Sequence, residues 1–516
     1  MSKYCPSCGS DNITQTKSLA QSGKKRWQCH SCPSRTTQPL SKPLVEMFKQ
    51  KFTDLRKYKR FVITSAQNDT PLDMDFFNSL LNYCKVESAA LLVIPVRYKN
   101  PDSFHEGAQN SYTWPDEIRP YLCDQEFKIN DNLKVMGQIK ITATAVNPLM
   151  GLDTISGHSS AIIGHGQLAM THIATPKKRL PKKMHTTGSV SQKNYSQTKE
   201  GAKGEHHHSL SAVVVETEGN QFWVRQLMGD STGGFYDLDR YYTNSNGMFS
   251  QAVEGMLPGD LHERFLSKKI REVTFTGTNS LMSLLRPKHL ILNDILDQYA
   301  DSPHHQTDAL LKLEKHWKGS NDLRKELDSL CRFLESVGES YIIESNHHDH
   351  LRRGLNNFLN NKLTDVVNAD LYLELGSMFS ASKKRGEHKG ILELYLDRYC
   401  KAKLHFVDVD DEFLVAGIDC SQHGDRGANG SRPSPRAFAN AGAKMMVGHS
   451  HTPRIEKGFW QVGTSTMDLD YAKGLSSWMI THGVIYANGK RALIDVINGK
   501  YRPSWAMREQ LERKAA

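Results

Sequence analysis

The run AKMMVGHSH, residues 443–451, decides the reading of this chain: an apolar strand pattern that ends abruptly in Gly-His-Ser-His. Short apolar runs of four to eight residues bounded by turn signals read as buried strands. Two imidazoles released just past such a strand sit where an open α/β sheet presents its functional groups. Working outward, the same grammar recurs. HLIL (289–292) leads to Asn293-Asp294-Ile295-Leu296-Asp297, and YII (341–343) to Ser345-Asn346-His347-His348-Asp349. FLVAGIDCS (413–421) leads to Gln422-His423-Gly424, and upstream lies Asp260-Leu261-His262. A lone Asp-x-His or His-Gly is more often surface or capping chemistry. Five pieces in series, four of them directly after apolar runs, are not explained by 23 histidines scattered over a basic protein. Carboxylate and imidazole converging from several strand ends are the donors that a pair of divalent cations takes in a hydrolase.

The series Asp-x-His, Asp-x-x-Asp, Asn-His, His and Gly-His-x-His, spread over residues 260–451, resembles the calcineurin-like metallophosphoesterase superfamily, with a site similar to that of SbcD-type nucleases. The resemblance implies a β-sandwich flanked by helices with two metals at one end. It implies Asp260, His262 and His451 as ligands of one metal, Asp294 as the bridging carboxylate, and Asn346, His423 and His449 as ligands of the other. It gives His347 the role of protonating the leaving oxygen and Asp297 that of orienting His347. The sequence departs from the family pattern at Asn293 and Ser345, where glycine is usual, and at His348, where an acid is common. Asp260 is the weakest match, because LPGDLHERF (257–265) lacks a strong apolar run and Pro258 sits awkwardly in a strand. Manganese is the favoured ion, while N/O ligation also admits zinc or magnesium.

The rest of the chain frames this centre. At about 100–200 residues per domain, 516 residues suggest two or three domains. Residues 1–36 hold Cys5-x2-Cys8 and Cys29-x2-Cys32, two knuckles that can place four thiolates around one structural zinc, with His30 as an alternative ligand. Residues 37–59 read as a basic helix or linker. Residues 60–245 read as an α/β section opened by a βαβ unit: strand RFVITSA, helix FFNSLLNYCK and strand ALLVIPVRY. Residues 246–500 carry the phosphoesterase pattern, closed by an Asn488-Gly489 hairpin signal. Residues 501–516 read as an exposed helical tail. The expected fold class is therefore α/β (α+β): zinc ribbon, α/β middle section, then the metallophosphoesterase section.

Charge points to the partner. A formal net charge of +10 and a pI near 9.0 favour an anion, nucleic acid first. Lys24, Lys25 and Arg26 in the ribbon, and Lys177, Lys178, Arg179, Lys182 and Lys183 in segment 176–208, are the candidate contacts to DNA phosphates. That segment is poor in apolar residues and reads as one long loop; a merely solvated basic face is the plainer reading. The Gly-Lys pairs lack the spacing of a phosphate-binding P-loop. No apolar run of 18 residues exists and the start lacks a signal-peptide core, so a cytoplasmic protein with no membrane partner is expected. The build of Cys-rich head, α/β middle and phosphoesterase end is similar to the early host-DNA-degrading proteins of tailed coliphages. That similarity implies a manganese-dependent nuclease acting on double-stranded DNA in the host bacterial cytoplasm, with a homo-oligomer expected. A phosphatase or nucleotide phosphodiesterase, or a DNA-binding regulator without activity, are the alternatives.

Overall fold

Four apolar runs, Gly255–Leu257, His289–Leu292, Ser340–Ile343 and Leu404–Val407, lie side by side as parallel strands. The antiparallel hairpin Thr481–Ile485 and Arg491–Asp495 completes a six-stranded sheet. Its turn is the expected one, with Gly489 at φ 70°, a value that glycine adopts without steric cost. The structure, a computed structural model, describes all residues except 1–2, 6–10, 21–22, 31–34, 38, 40–53, 99–113, 177–178, 246, 361, 363–364, 470–472 and 516. Among the described residues the protein is mixed α/β, and no helix is long and apolar enough to cross a membrane.

Side chains alternate across the six-stranded sheet, as a period of two requires. Met256, Leu292, Ile342, Val484 and Ile494 face the helices. Leu257, Ile291, Ile343, Ile485 and Leu493 share a second apolar cluster with Ile418, Met446 and Trp460 of a ten-stranded sheet. The helix Leu323–Val337 shows why the helical layer forms. Asp322 caps it by accepting from Lys325 N, and Leu323, Leu327, Leu330, Leu334 and Val337 recur on one buried face. Gly338 at φ 84° ends it, and the chain turns into Ser340–Ile343.

The ten-stranded sheet crosses sequence position 245. Its centre pairs Arg454–Glu456 antiparallel with Ala169–Ile173, so strands from 60–245 and 246–500 form one surface. A separate four-stranded sheet holds the βαβ unit, with Arg60–Gln67 and Ala90–Val96 parallel and joined over helix Met74–Val86. Strands Ile13–Leu19, Lys25–Cys29 and Arg35–Thr36 pair antiparallel in a three-stranded sheet.

Two local expectations are corrected. Segment 176–208 is not one loop: it contains strand Lys182–Thr186, fully buried within the ten-stranded sheet, and helix Lys199–His207, capped by Thr198. No apolar run marked the strand because Met184 is its one apolar residue, while Lys182, Lys183 and Thr186 find polar partners inside the protein. The C-terminal helix Ser504–Ala515 is not a loose exposed tail. Trp505 donates to Thr217 O, Ala506 is fully buried, and Arg60 lies over the Trp505 ring.

Candidate metal centre

Parallel strands deliver their C-terminal ends to one edge of a sheet, and each conspicuous residue of 260–451 leaves from such an end. Asp260 and His262 follow Gly255–Leu257, Asp294 and Asp297 follow His289–Leu292, and Asn346 and His347 follow Ser340–Ile343. His423 follows Ile418–Asp419, and His449 and His451 follow Met445–Val447 in the neighbouring sheet. Pro258 falls just past its strand, which removes the difficulty it posed in the sequence. The loops are zipped together by backbone bonds. Leu261 N donates to Asn293 O at 3.1 Å, His262 N to Asp294 O at 2.8 Å, and Gly448 N to His423 O at 2.8 Å.

The side chains form a continuous buried cluster. His451 Nε2 lies 3.2 Å from Asp260 Oδ2 and 3.1 Å from His262 Nε2. His262 Nε2 lies 3.9 Å from Asp294 Oδ2, which is also 3.2 Å from His423 Nε2. The His449 ring packs edge-on to His423 at 5.2 Å, and its backbone N–H donates to Asp260 Oδ2 at 2.7 Å. Asp260, His262, Asp294 and His451 offer ligand atoms all within 4.8 Å of one another, a cluster that could hold a metal ion. His262, Asp297 and His347 form a second such group, sharing His262.

The donor set fits divalent cations. The buried oxygens Asp260 Oδ1, Asp294 Oδ1 and Asn346 Oδ1 have no hydrogen-bond partner among the described residues. Orphaned buried acceptors cost about 1–3 kcal/mol each, more when charged, unless something satisfies them. The backbone is strained at the same place: His262, Asp294, His449 and His451 all have positive φ, between 42° and 74°. Such conformations cost roughly 1–3 kcal/mol apiece and gather at functional sites. Gly448 must lack a side chain, since a Cβ there would overlap Asp260 Oδ1.

The electrostatics follow from burial and close charge. Burial opposes a charged His423, but Asp294 outweighs it and raises the imidazole pKa to about 9. Burial would likewise raise Asp294, yet His423 and the other imidazoles hold its carboxyl well below the usual range. Burial lowers both His347 and His449. Asp297 does not stand closest to His347: its Oδ2 is 3.1 Å from His262 Nδ1 and 4.0 Å from His347 Nδ1. His348, where an acid is common, accepts from Ile295 N at 3.2 Å and so ties two ligand loops together. Asp349 turns away to Arg352 and Arg353. Two supporting residues carry no sequence signal: Gln461, which donates to Gly448 O at 2.7 Å, and Trp478, whose ring meets His451 edge-on at 4.5 Å.

The other sequence-derived sites are met only in part. Cys5 and Cys29 share a small buried cluster with Ile13 and Trp27, while Cys8 and Cys32 lie outside the described residues. His30, the alternative ligand, has Nε2 2.7 Å from Thr14 Oγ1. Lys24 and Lys25 are exposed and Arg26 is half-buried; Arg179 is exposed, and Lys177 and Lys178 lie outside the described residues. Lys182 and Lys183 are not placed for DNA. Lys182 is buried and donates to Asp153 O and Gly157 O, and Lys183, 1% exposed, pairs with Asp495.

No family model matches the chain. Among curated proteins, Protein A1 of Escherichia phage T5 is 32% identical over 467 residues, covering 87% of this chain and 84% of that protein. Among solved structures, Vps29 of Chaetomium thermophilum in complex with a cyclic peptide aligns with 38% of this chain and 100% of its own. That likeness, at 14% identity and a TM-score of 0.20, carries no argument.

Proposed function

We propose that this chain, which belongs to the family of Protein A1 of Escherichia phage T5, is a metal-dependent nuclease that hydrolyses phosphodiester bonds of double-stranded DNA, degrading host DNA during infection. The observation that carries the reading is the buried cluster in which Asp260, Asp294 and Asn346 keep unpartnered oxygens among imidazoles. Asp260, His262 and His451 would hold one cation, Asn346, His423 and His449 a second, with Asp294 between them. Manganese is the proposed ion, since mixed imidazole, carboxylate and amide donors suit a borderline metal. When bound, such a pair polarises a phosphoryl oxygen and lowers the pKa of water.

The chain's own residues do the rest. His347 is 14% exposed at its side chain and packs edge-on to His262 at 4.8 Å, so it can meet a leaving oxygen at the mouth of the cluster. Burial keeps its imidazole neutral at pH 7, and an arriving phosphate anion favours its protonation. It then holds the proton that a departing alkoxide requires. The strained loops fix the donors in place before substrate arrives, and rigid placement is what such a site needs. The net charge of +10 and the exposed Lys24, Lys25 and Arg179 suit a polyanionic substrate. The same reading places the protein in the host bacterial cytoplasm.

The test is incubation of the purified protein with linear and circular duplexes in Mn2+, Mg2+ or EDTA. Cleavage in Mn2+ that EDTA stops, and that His347→Ala slows by about 10²-fold, supports the nuclease. Hydrolysis of p-nitrophenyl phosphates without any cut in DNA would leave a phosphatase in its place.

A further inference from the structure

Away from the metal centre, a cleft of about 820 Å3 opens between the middle and last sections of the chain. Lys193, Lys444, Lys457, Lys490 and Arg491 line it, with Trp460 beneath. Arg491 is 5% exposed and its guanidinium lies over the Trp460 ring, 4.7 Å from the centroid. Its Nη1 donates to Met445 O and Gly458 O, each at 2.8 Å. Nε and Nη2 bond to no described residue, and no described carboxylate pairs with this buried cation.

The surroundings do not balance it. The carboxylates in the wall are Asp73 and Asp230, and both are engaged. Asp73 caps the helix Met74–Val86. Asp230 accepts from Thr232, Gly234, Tyr241 and Asn488. None of the four lysines forms an ion pair with a described residue. Burial pushes the Arg491 pKa down to about 9, and burial with Lys444 lowers that of Lys490. A buried cation without a counter-ion is costly, and a guanidinium edge with two free N–H directions matches the oxygens of a phosphate.

We propose that this cleft is a second phosphate-binding site, distinct from the metal centre, that seats nucleotide phosphates on the free edge of Arg491 with Lys444 and Lys490 beside it. Lys444 stands just before strand Met445–Val447, and His449 and His451 follow its end, so the two sites lie toward opposite ends of that strand, at most roughly 17 Å apart along it. The phosphate belongs either to a free nucleotide or to a DNA strand held while another part is at the metal centre. The site does not depend on the nuclease reading, because binding is measured with cleavage blocked.

The experiment uses the full chain in EDTA, a fluorescein-labelled 12-base-pair duplex read by anisotropy, and dAMP read by calorimetry. The double variant Lys444→Gln/Lys490→Gln alters an exposed and a half-buried side chain, and Arg491→Gln alters the buried one. Each is expected to weaken binding about 10-fold or more. For a strand, the double variant also lowers the salt dependence of duplex affinity by about two units of slope. Loss of dAMP binding identifies a free nucleotide, and loss confined to the duplex identifies a strand. Unchanged affinity for both ligands in the double variant overturns the proposal, as does wild-type protein that binds neither. Hydrolysis of bis-p-nitrophenyl phosphate in Mn2+ should be unaltered in the double variant. Absence of that hydrolysis in the wild type counts against the nuclease alone.

Discussion

The buried charges around Glu216 and those around Asp294 are treated in opposite ways. Around Glu216, the arginines Arg60, Arg225 and Arg502 close in, and Arg225 grips Asp237 with contacts of 2.7 and 2.9 Å. Tyr83 and Tyr242 donate to Asp237 and Glu87, and Arg513 of the C-terminal helix reaches Glu87. Fixed cations answer the carboxylates, and the network ties the C-terminal helix to the four-stranded sheet. Around Asp294, the carboxylates Asp260, Asp294 and Asp297 meet imidazoles and one backbone N–H, with no described lysine or arginine paired to them, and oxygens remain unpartnered. The first cluster is complete as the chain folds. The second keeps oxygens that a cation could satisfy, and that difference separates a structural ion network from a candidate reactive centre.

The sharpest way to break the comparison is to remove one carboxylate from each cluster. Asp294→Asn should lower DNA cleavage by about 10³-fold and erase the rise in melting temperature that Mn2+ produces. Glu216→Gln leaves the arginines buried without their shared partner, and should cost about 3–5 kcal/mol in denaturant unfolding. It should keep the response to Mn2+. An active Asp294→Asn or an undamaged Glu216→Gln would dissolve the distinction.

Gly448→Ala tests the packing of the second cluster, because the added methyl group displaces Asp260. Activity should fall by about 10²-fold, with secondary structure by circular dichroism unchanged.

Metal linkage comes next in size. Cations that bind only the folded state stabilise by about 2.7 kcal/mol at a hundred times their dissociation constant. Stripping with EDTA should lower the melting temperature of the wild type and of Glu216→Gln alike, and Mn2+ should restore it.

The same cluster sets a dependence on pH. The pKa of His423 rises from 6.5 to about 9 in the folded protein, after Asp294 overcomes the penalty of burial. A raised folded value stabilises fully below pH 6.5, and that contribution disappears as the pH climbs through about 9. Metal-free protein should therefore lose stability between pH 6.5 and 9, and His423→Gln should flatten that slope. Arginines do not titrate there, so the Glu216 network should contribute none of it. Metal binding near pH 7 should release protons, measurable by calorimetry in buffers of different ionisation enthalpy.

Much of the candidate site was legible because its Asp, Asn and His residues follow apolar strands, and strand ends are readable from local pattern. HLIL, SYII and MMV each announced the donors behind them. The pairing of Asp297 was not legible: the loop geometry sets it nearer His262 than His347. Lys182 and Lys183 misled because a lysine-rich run reads as solvated, whereas here a buried carboxylate and backbone carbonyls receive it. The Glu216 network gave no signal either, since its members are spread from residue 60 to 513.

By itself the sequence determined the α/β character, the βαβ unit, the hairpin at Asn488-Gly489 and which Asp, Asn and His residues follow strand ends, because each is written in local periodicity and spacing. Only the tertiary structure decided that strands from both sides of residue 245 share one sheet, that the basic segment runs through its interior, and that Arg491 faces a cleft without a counter-ion. Those facts depend on which distant strands pair and which charges meet, and pairing between residues hundreds of positions apart leaves no periodic trace in a single sequence.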